Sequence, residues 1–180
     1  LKIINNQIKQ IENLVNEFSD FARMPKPILR RNNLIDLIDE NIKLLSELDR
    51  SVEIIFIKNL DQAFLECDKE QLSRVFLNLI KNSIESIQQK SEKISKFNKK
   101  ITIELSENHT QISIIINDNG IGFNSFDQNI RDVLNPYITT KKNGTGLGLS
   151  IVNKIVNDHN GRIEFLNVKE GAKIKIIFIK

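Results

Sequence analysis

The chain is 180 residues long, with 40% hydrophobic and 27% charged residues, the balance of one globular domain or one domain with a short appendage. That composition excludes intrinsic disorder, and no apolar run of about 18 residues is present to span a bilayer. A single cysteine, Cys67, excludes an intramolecular disulfide and a cysteine-only metal cage, while His109 and His159 lie too far apart in sequence to suggest zinc. The net charge of +3 is too small for a general attraction to polyanions. The chain opens on Leu1 with no signal peptide after it, as expected of a soluble segment of a longer protein.

Leu1, Ile4, Ile8, Ile11, Val15, Phe18 and Ala22 recur at alternating spacings of three and four, an unbroken a/d seam that predicts a helix. Such a helix can lie on its own domain, but the strict period of about 3.5 favours a bundle or coiled-coil partner outside this chain. Pro25 and Pro27 end it, because proline lacks an amide donor and restricts the residue before it. An amphipathic helix is expected over about 34–49, then a strand around Val52, Ile54 and Phe56 and a shorter one near Ala63–Cys67. Asp68 is the expected N-cap of a long helix reaching about Gln89. Five lysines in residues 90–100 read as a solvated loop, and Ile101–Leu105 with Gln111–Asn117 as a hairpin. Residues 118–143 show weak periodicity, a helix follows from about Gly146 to His159, and Gly161–Val168 with Lys173–Ile179 close the chain as a hairpin. Hairpins rather than repeated βαβ units predict an α+β fold, a mainly antiparallel sheet with helices on one face.

Three segments could carry chemistry. On the long helix, Gln71, Arg74, Asn78, Asn82, Glu85 and Gln89 share one side, opposite Leu72, Val75, Phe76, Leu79, Ile80 and Ile87. The polar stripe could be plain solvent surface, yet asparagine is a mediocre helix former and two of them one turn apart invite another reason. Asp118-Asn119-Gly120-Ile121-Gly122 follows an apolar strand; it could be an ordinary turn, or a carboxylate able to accept from an exocyclic amine beside a backbone open to close approach. Gly144-Thr145-Gly146-Leu147-Gly148-Leu149 opens a helix whose amides and dipole suit phosphate, with Lys141 and Lys142 just upstream. It matches neither the P-loop nor the dinucleotide fingerprint.

Taken in order, Asn78-Leu79-Ile80-Lys81-Asn82-Ser83, Asp118-Asn119-Gly120-Ile121-Gly122 and Gly144-Thr145-Gly146-Leu147-Gly148-Leu149 resemble the N, G1 and G2 boxes of the Bergerat-type ATPase superfamily, which includes gyrase, MutL and the histidine kinases. Asn135-Pro136-Tyr137-Ile138-Thr139-Thr140-Lys141 resembles the lid segment between them. The histidine kinases fit best: gyrase-type members carry a water-activating Glu where this chain has Asn78, which cannot act as a base. The stretch from Glu17-Phe18 to Pro27 resembles the end of the second dimerisation helix in NtrY-type nitrogen-regulation sensor kinases.

The resemblance implies a two-layer α/β sandwich of the Bergerat type over residues 34–180, a linker at 26–33, and at 1–25 the second helix of a dimerisation hairpin. It implies ATP and Mg²⁺ as ligands: Asp118 accepting from the adenine amine, Gly120 and Gly122 giving room for the base, Asn82 ligating Mg²⁺ with Asn78 beside it. Lys141, Gly144, Thr145, Gly146, Leu147 and Gly148 would hold the phosphates. Implied partners are a second copy through the N-terminal helix and an NtrX-type response regulator, at the cytoplasmic side of the inner membrane, with membrane attachment only through segments absent from this sequence. Two departures stand out. Glu85 and Ser86 occupy positions where many such kinases carry a basic residue and an aromatic, and no acceptor-histidine motif is present. A stand-alone ATPase or anti-sigma serine kinase of the same fold is the alternative, and a non-enzymatic module is disfavoured by the intact boxes. Nucleic acid is not expected, since Lys90, Lys93, Lys96, Lys99 and Lys100 come without a matching fold.

Overall fold

The computed structural model describes residues 4, 8, 11, 12, 15, 16, 18, 19, 21–47, 49–94, 96–123, 130–139 and 144–180. Ile4, Ile8, Ile11, Val15, Phe18 and Ala22 are helical, as the heptad spacing predicts, and the first five of these side chains are exposed. Leu1 lies outside the described residues. Phe21 and Met24 turn inward and pack against the main hydrophobic core.

Arg30–Asn33, expected at the end of a linker, instead form strand β1. No apolar alternation marks this stretch; it is held by backbone pairing, antiparallel to β3 (Phe64–Cys67), in a separate two-stranded sheet. Arg31 also stacks its guanidinium over the Phe64 ring at 4.2 Å. Asn33 then caps α1 (Leu34–Ser46): its side-chain oxygen accepts from the Ile35 amide at 3.3 Å and the Ala63 amide at 3.1 Å.

The long helix α2 (Lys69–Ser91) begins as expected, with Asp68 Oδ1 accepting from the Glu70 and Gln71 amides at 3.1 Å. Leu72, Val75, Phe76, Leu79, Ile80 and Ile87 are all buried, so the polar stripe is left on the opposite side. The solvated reading of residue 90 is corrected: Lys90 belongs to the last turn of α2 and is only 8% exposed.

Five strands form the main sheet in the order β2 (Glu53–Lys58), β4 (Lys100–Glu107), β5 (Gln111–Asp118), β7 (Ala172–Ile179) and β6 (Gly161–Leu166). β2 runs parallel to β4 and every other neighbour is antiparallel, so the sheet is mixed but mainly antiparallel. Ile103 stands opposite Ile116, and Ile116 opposite Ile174. That register aligns Ile101, Ile103, Leu105, Ile114, Ile116, Ile174, Ile176 and Phe178 as one buried face. α1 packs on β2, α2 on β4 and β5, and α3 (Gly148–Asp158) on β6, giving the expected α+β sandwich.

His159, immediately after α3, clamps the two helices that flank the site. Its Nδ1 lies 2.7 Å from the Ile155 carbonyl and its Nε2 accepts from the Asp68 amide at 3.0 Å, which assigns the proton to Nδ1. The histidine is buried and structural, joining the end of α3 to the start of α2.

Candidate functional site

The polar stripe of α2, the end of β5 and the start of α3 converge on one cavity of about 620 Å³. Arg74, Asn78, Asn82 and Glu85 line it from the helix, Asp118 and Gly122 from the strand end, and Gly144, Thr145, Gly146 and Gly148 from the loop before α3. The three sequence segments therefore meet in space. Leu147 and Gly120 are the exceptions among the expected residues described: neither lines the cavity, the Leu147 side chain being fully buried in the core below the loop and Gly120 lying against Ser86 and Ile87 of α2. Lys141 lies outside the described residues.

Asp118 closes β5 and is 4% exposed. Its Oδ1 accepts from the Gly120 amide at 2.9 Å and from the Ala172 amide at 3.3 Å. Burial pushes its pKa up, against hydrogen bonds from Gly120, Ser83, Ala172 and Ser86 that favour the carboxylate. Above this raised pKa the charged acceptor is costly to bury, and the cost declines as pH falls from it towards the ordinary carboxylate value. A polar acceptor kept in an apolar wall at the expense of stability is what specific recognition of a ligand donor requires.

The two glycines after Asp118 have a reason inside the protein. A Cβ on Gly120 would stand 2.2 Å from Ser86 Oγ and 2.8 Å from the Ile87 amide nitrogen, so only glycine lets this turn lie against α2. Gly122 has φ +68°, and a Cβ there would meet the Gly171 carbonyl at 2.2 Å. Ile121 donates its amide to the Ser86 carbonyl at 3.3 Å and Gly122 to Ser86 Oγ at 3.4 Å. Ser86, a departure from the family pattern in sequence, here helps tie the turn to the helix.

Across the cavity, Asn78 donates Nδ2 to the Arg74 carbonyl one turn back at 2.8 Å, which fixes its amide plane. Its Oδ1 faces Gly148, where a Cβ would come within 3.1 Å of it and 3.9 Å of Asn82 Nδ2. Both carboxamides thus flank the N-terminus of α3, which carries no side-chain cap. Gly146, at φ +70°, accepts from the Tyr137 amide at 3.1 Å, so the lid segment lies on the glycine loop. First-turn amides without a side-chain cap and the positive end of the helix dipole, beside two carboxamides, can hold a polyanion. The cavity therefore has a buried acceptor at one wall and an anion cradle at another.

Other reactive groups are disposed of by their surroundings. Burial pushes the Cys67 thiol up to about 11, out of nucleophile range at neutral pH. Among the described residues no three His, Cys, Asp or Glu side chains gather to hold a metal, and no helix is long and apolar enough to cross a membrane. Ser83 and Ser86 line the cavity as well, and Lys90 is buried nearby, none of them among the residues expected at the site. All three lie on the flank of α2 next to the stripe, and the periodicity that located the stripe was the available signal.

The model of the family described as histidine kinase-, DNA gyrase B- and HSP90-like ATPases matches residues 67–180. A putative NtrY-like sensor histidine kinase of Rickettsia conorii is 36% identical over 99% of this chain, and the nitrogen regulation protein NtrY of Azorhizobium caulinodans 33% identical over 93%. This chain spans 28% and 21% of those two proteins. Among solved structures, the catalytic domain of the histidine kinase ThkA is 28% identical, with a TM-score of 0.71 over 84% of this chain and 95% of that one. With the matched segment containing every residue that lines the cavity, from Arg74 to Ile174, the chain belongs to the histidine kinase-, DNA gyrase B- and HSP90-like ATPase family.

Proposed function

We propose that this chain is the ATP-binding, phosphoryl-donating part of a two-component sensor histidine kinase of the NtrY-like, nitrogen-regulation type. The observation that carries the reading is Asn78: it occupies the place of a hydrolytic base, and its amide is locked between the Arg74 carbonyl and Gly148. A carboxamide cannot take a proton from water, so the site favours transfer to a protein over hydrolysis.

The residues fit an adenine nucleotide. Asp118 is a buried acceptor suited to the exocyclic amine, and the glycine loop with the start of α3 leaves space and amides for phosphates. Gly144, Thr145, Gly146 and Gly148 hold the tail, with Lys141 proposed to assist from the lid. They fit magnesium only together with a nucleotide: Asn82 supplies a neutral oxygen, with Asn78 adjacent, and Mg²⁺ is commonly held by few protein oxygens plus substrate phosphates. When bound, the ion neutralises phosphate charge. The chain's own part is orientation, with Asp118 fixing the base and the α3 N-terminus fixing the tail.

The acceptor is a histidine on a separate dimerisation helix, not on this chain. His159 is buried with both ring nitrogens engaged, and His109 sits in the β4–β5 turn, roughly 25 Å along the strand from Asp118. The exposed seam of Ile4, Ile8, Ile11, Val15 and Phe18 suits a dimerisation bundle. In the full-length protein the proposed partners are a second copy and an NtrX-type response regulator, at the cytoplasmic side of the inner membrane.

The test is incubation with Mg-ATP, alone and with a separately produced dimerisation domain bearing its histidine. The proposal expects no stable phosphohistidine on this chain and acid-labile label on the added domain, weakened by loss of the tether. Steady ATP hydrolysis with no labelled acceptor would favour the stand-alone ATPase reading instead.

A further inference from the structure

Among the described residues Lys90 is one of few buried ionisable side chains, and its two polar contacts lie on the two turns that meet at Asp118. Its Nζ donates to the Asn119 carbonyl at 2.7 Å, contacts the Glu170 carboxylate, and lies 4.6 Å from the Phe97 ring centre. A lysine left without such partners would lose far more by desolvation than it gains by packing.

The Asn119 carbonyl belongs to the same peptide unit as the Gly120 amide. That amide donates to Asp118 Oδ1. Because the unit is planar, holding its oxygen fixes the direction of its N–H. A cation on the carbonyl also polarises the peptide and strengthens the amide as a donor. The second contact works on the other bond to Asp118. Glu170 stands two residues before Ala172, whose amide donates to the same Oδ1. Between them, Gly171 (φ +73°) brings the turn so close that a Cβ there would stand 1.8 Å from the Asp118 carbonyl. Lys90 thus ties together the two backbone segments that orient one carboxylate.

We infer that Lys90 is the positioning residue of the base-recognition site, setting the orientation of the Asp118 carboxylate through the Asn119–Gly120 peptide and the Glu170 turn. The inference rests on the reading of Asp118 as the acceptor for the adenine amine. Lys90 is not assigned any contact with the nucleotide.

The experiment compares binding of ATP with that of purine riboside triphosphate, which lacks the exocyclic amine, in wild type, Lys90→Met, Glu170→Gln and Asp118→Asn. Wild type should prefer ATP by about ten-fold or more, the worth of one buried hydrogen bond. Lys90→Met, which keeps the apolar stem, should lose most of that preference while binding the analogue as before, and should cause no further loss in the Asp118→Asn background. Glu170→Gln, which keeps the side chain's shape at an exposed position, should lose part of it and decides the matter if Lys90→Met does not fold. A purely structural lysine would weaken both nucleotides equally. Preference retained in both variants overturns the role of Lys90 alone, whereas a wild type without preference overturns the adenine assignment beneath it.

Discussion

Replacing Gly120 by alanine separates two reasons for a glycine beside Asp118. One is room for a ligand; the other is close packing of the turn on α2. The added Cβ would stand 2.2 Å from Ser86 Oγ, 2.6 Å from the Ser86 carbonyl carbon and 2.8 Å from the Ile87 nitrogen. The hydroxyl can rotate away, but the last two atoms belong to a helix backbone with Ile87 fully buried behind it. The turn must therefore move, at the usual overpacking cost of about 1–3 kcal/mol. Moving it also endangers the Ile121 amide bond to the Ser86 carbonyl, worth about 0.5–1.5 kcal/mol. For a chain of this size, about 1–3 kcal/mol corresponds to a Tm lower by roughly 2–12 °C. Calorimetric melting without nucleotide should show that loss, accompanied by weaker ATP binding because Asp118 shifts with the turn. An unchanged Tm with binding abolished would refute the packing argument and return Gly120 to a ligand-clearance role.

Three further perturbations address the frame and the site. His159→Ala should cost about 1–3 kcal/mol in urea unfolding, because it strips the Asp68 amide of its acceptor and leaves a cavity between α2 and α3. Asp68→Ala should cost about 1 kcal/mol at neutral pH as a lost N-cap. Burial opposes ionisation of Asp68, but the Ile28, Gln71 and Glu70 amides outweigh it and hold the carboxyl below its ordinary range. Its contribution is therefore full above the unfolded carboxylate value of about 4 and fades as pH falls through the lower folded value, so wild type and variant should converge in acid. Asn82→Ala should remove the Mg²⁺-dependent part of ATP affinity while leaving the far-ultraviolet spectrum intact, which titrations with and without Mg²⁺ would read.

Much of this architecture is written locally in the chain. Asp68 announces α2 because a short acceptor before a helical run has one favourable use, and the apolar period of α2 alone decides which side Asn78 and Asn82 face. The hairpins β4–β5 and β6–β7 follow from alternation and turn residues within a few positions of each other. What escaped was decided by distant partners. Arg30–Asn33 has no strand pattern of its own and extends because the edge of β3 offers backbone bonds. The parallel pairing of β2 with β4 depends on a register set 47 residues away, as Glu53 opposite Lys100 shows. Lys90 read as solvent-facing because four more lysines follow it by residue 100, whereas its fate is set by Asn119 and Glu170. The three boxes told which residues meet; they did not tell that Gly120 and Gly122 answer to α2 and Gly171.

Recognition of ATP by this cavity is proposed to turn on Asp118 as the acceptor for the adenine amine. Calorimetric titration of ATP into wild type and Asp118→Asn at neutral pH tests it most directly. Wild type should bind, and a folded variant should bind about ten- to hundred-fold more weakly, the cost of an unpaired buried donor at about 1–3 kcal/mol. Equal affinity in both proteins, with melting curves showing an intact fold, would contradict it.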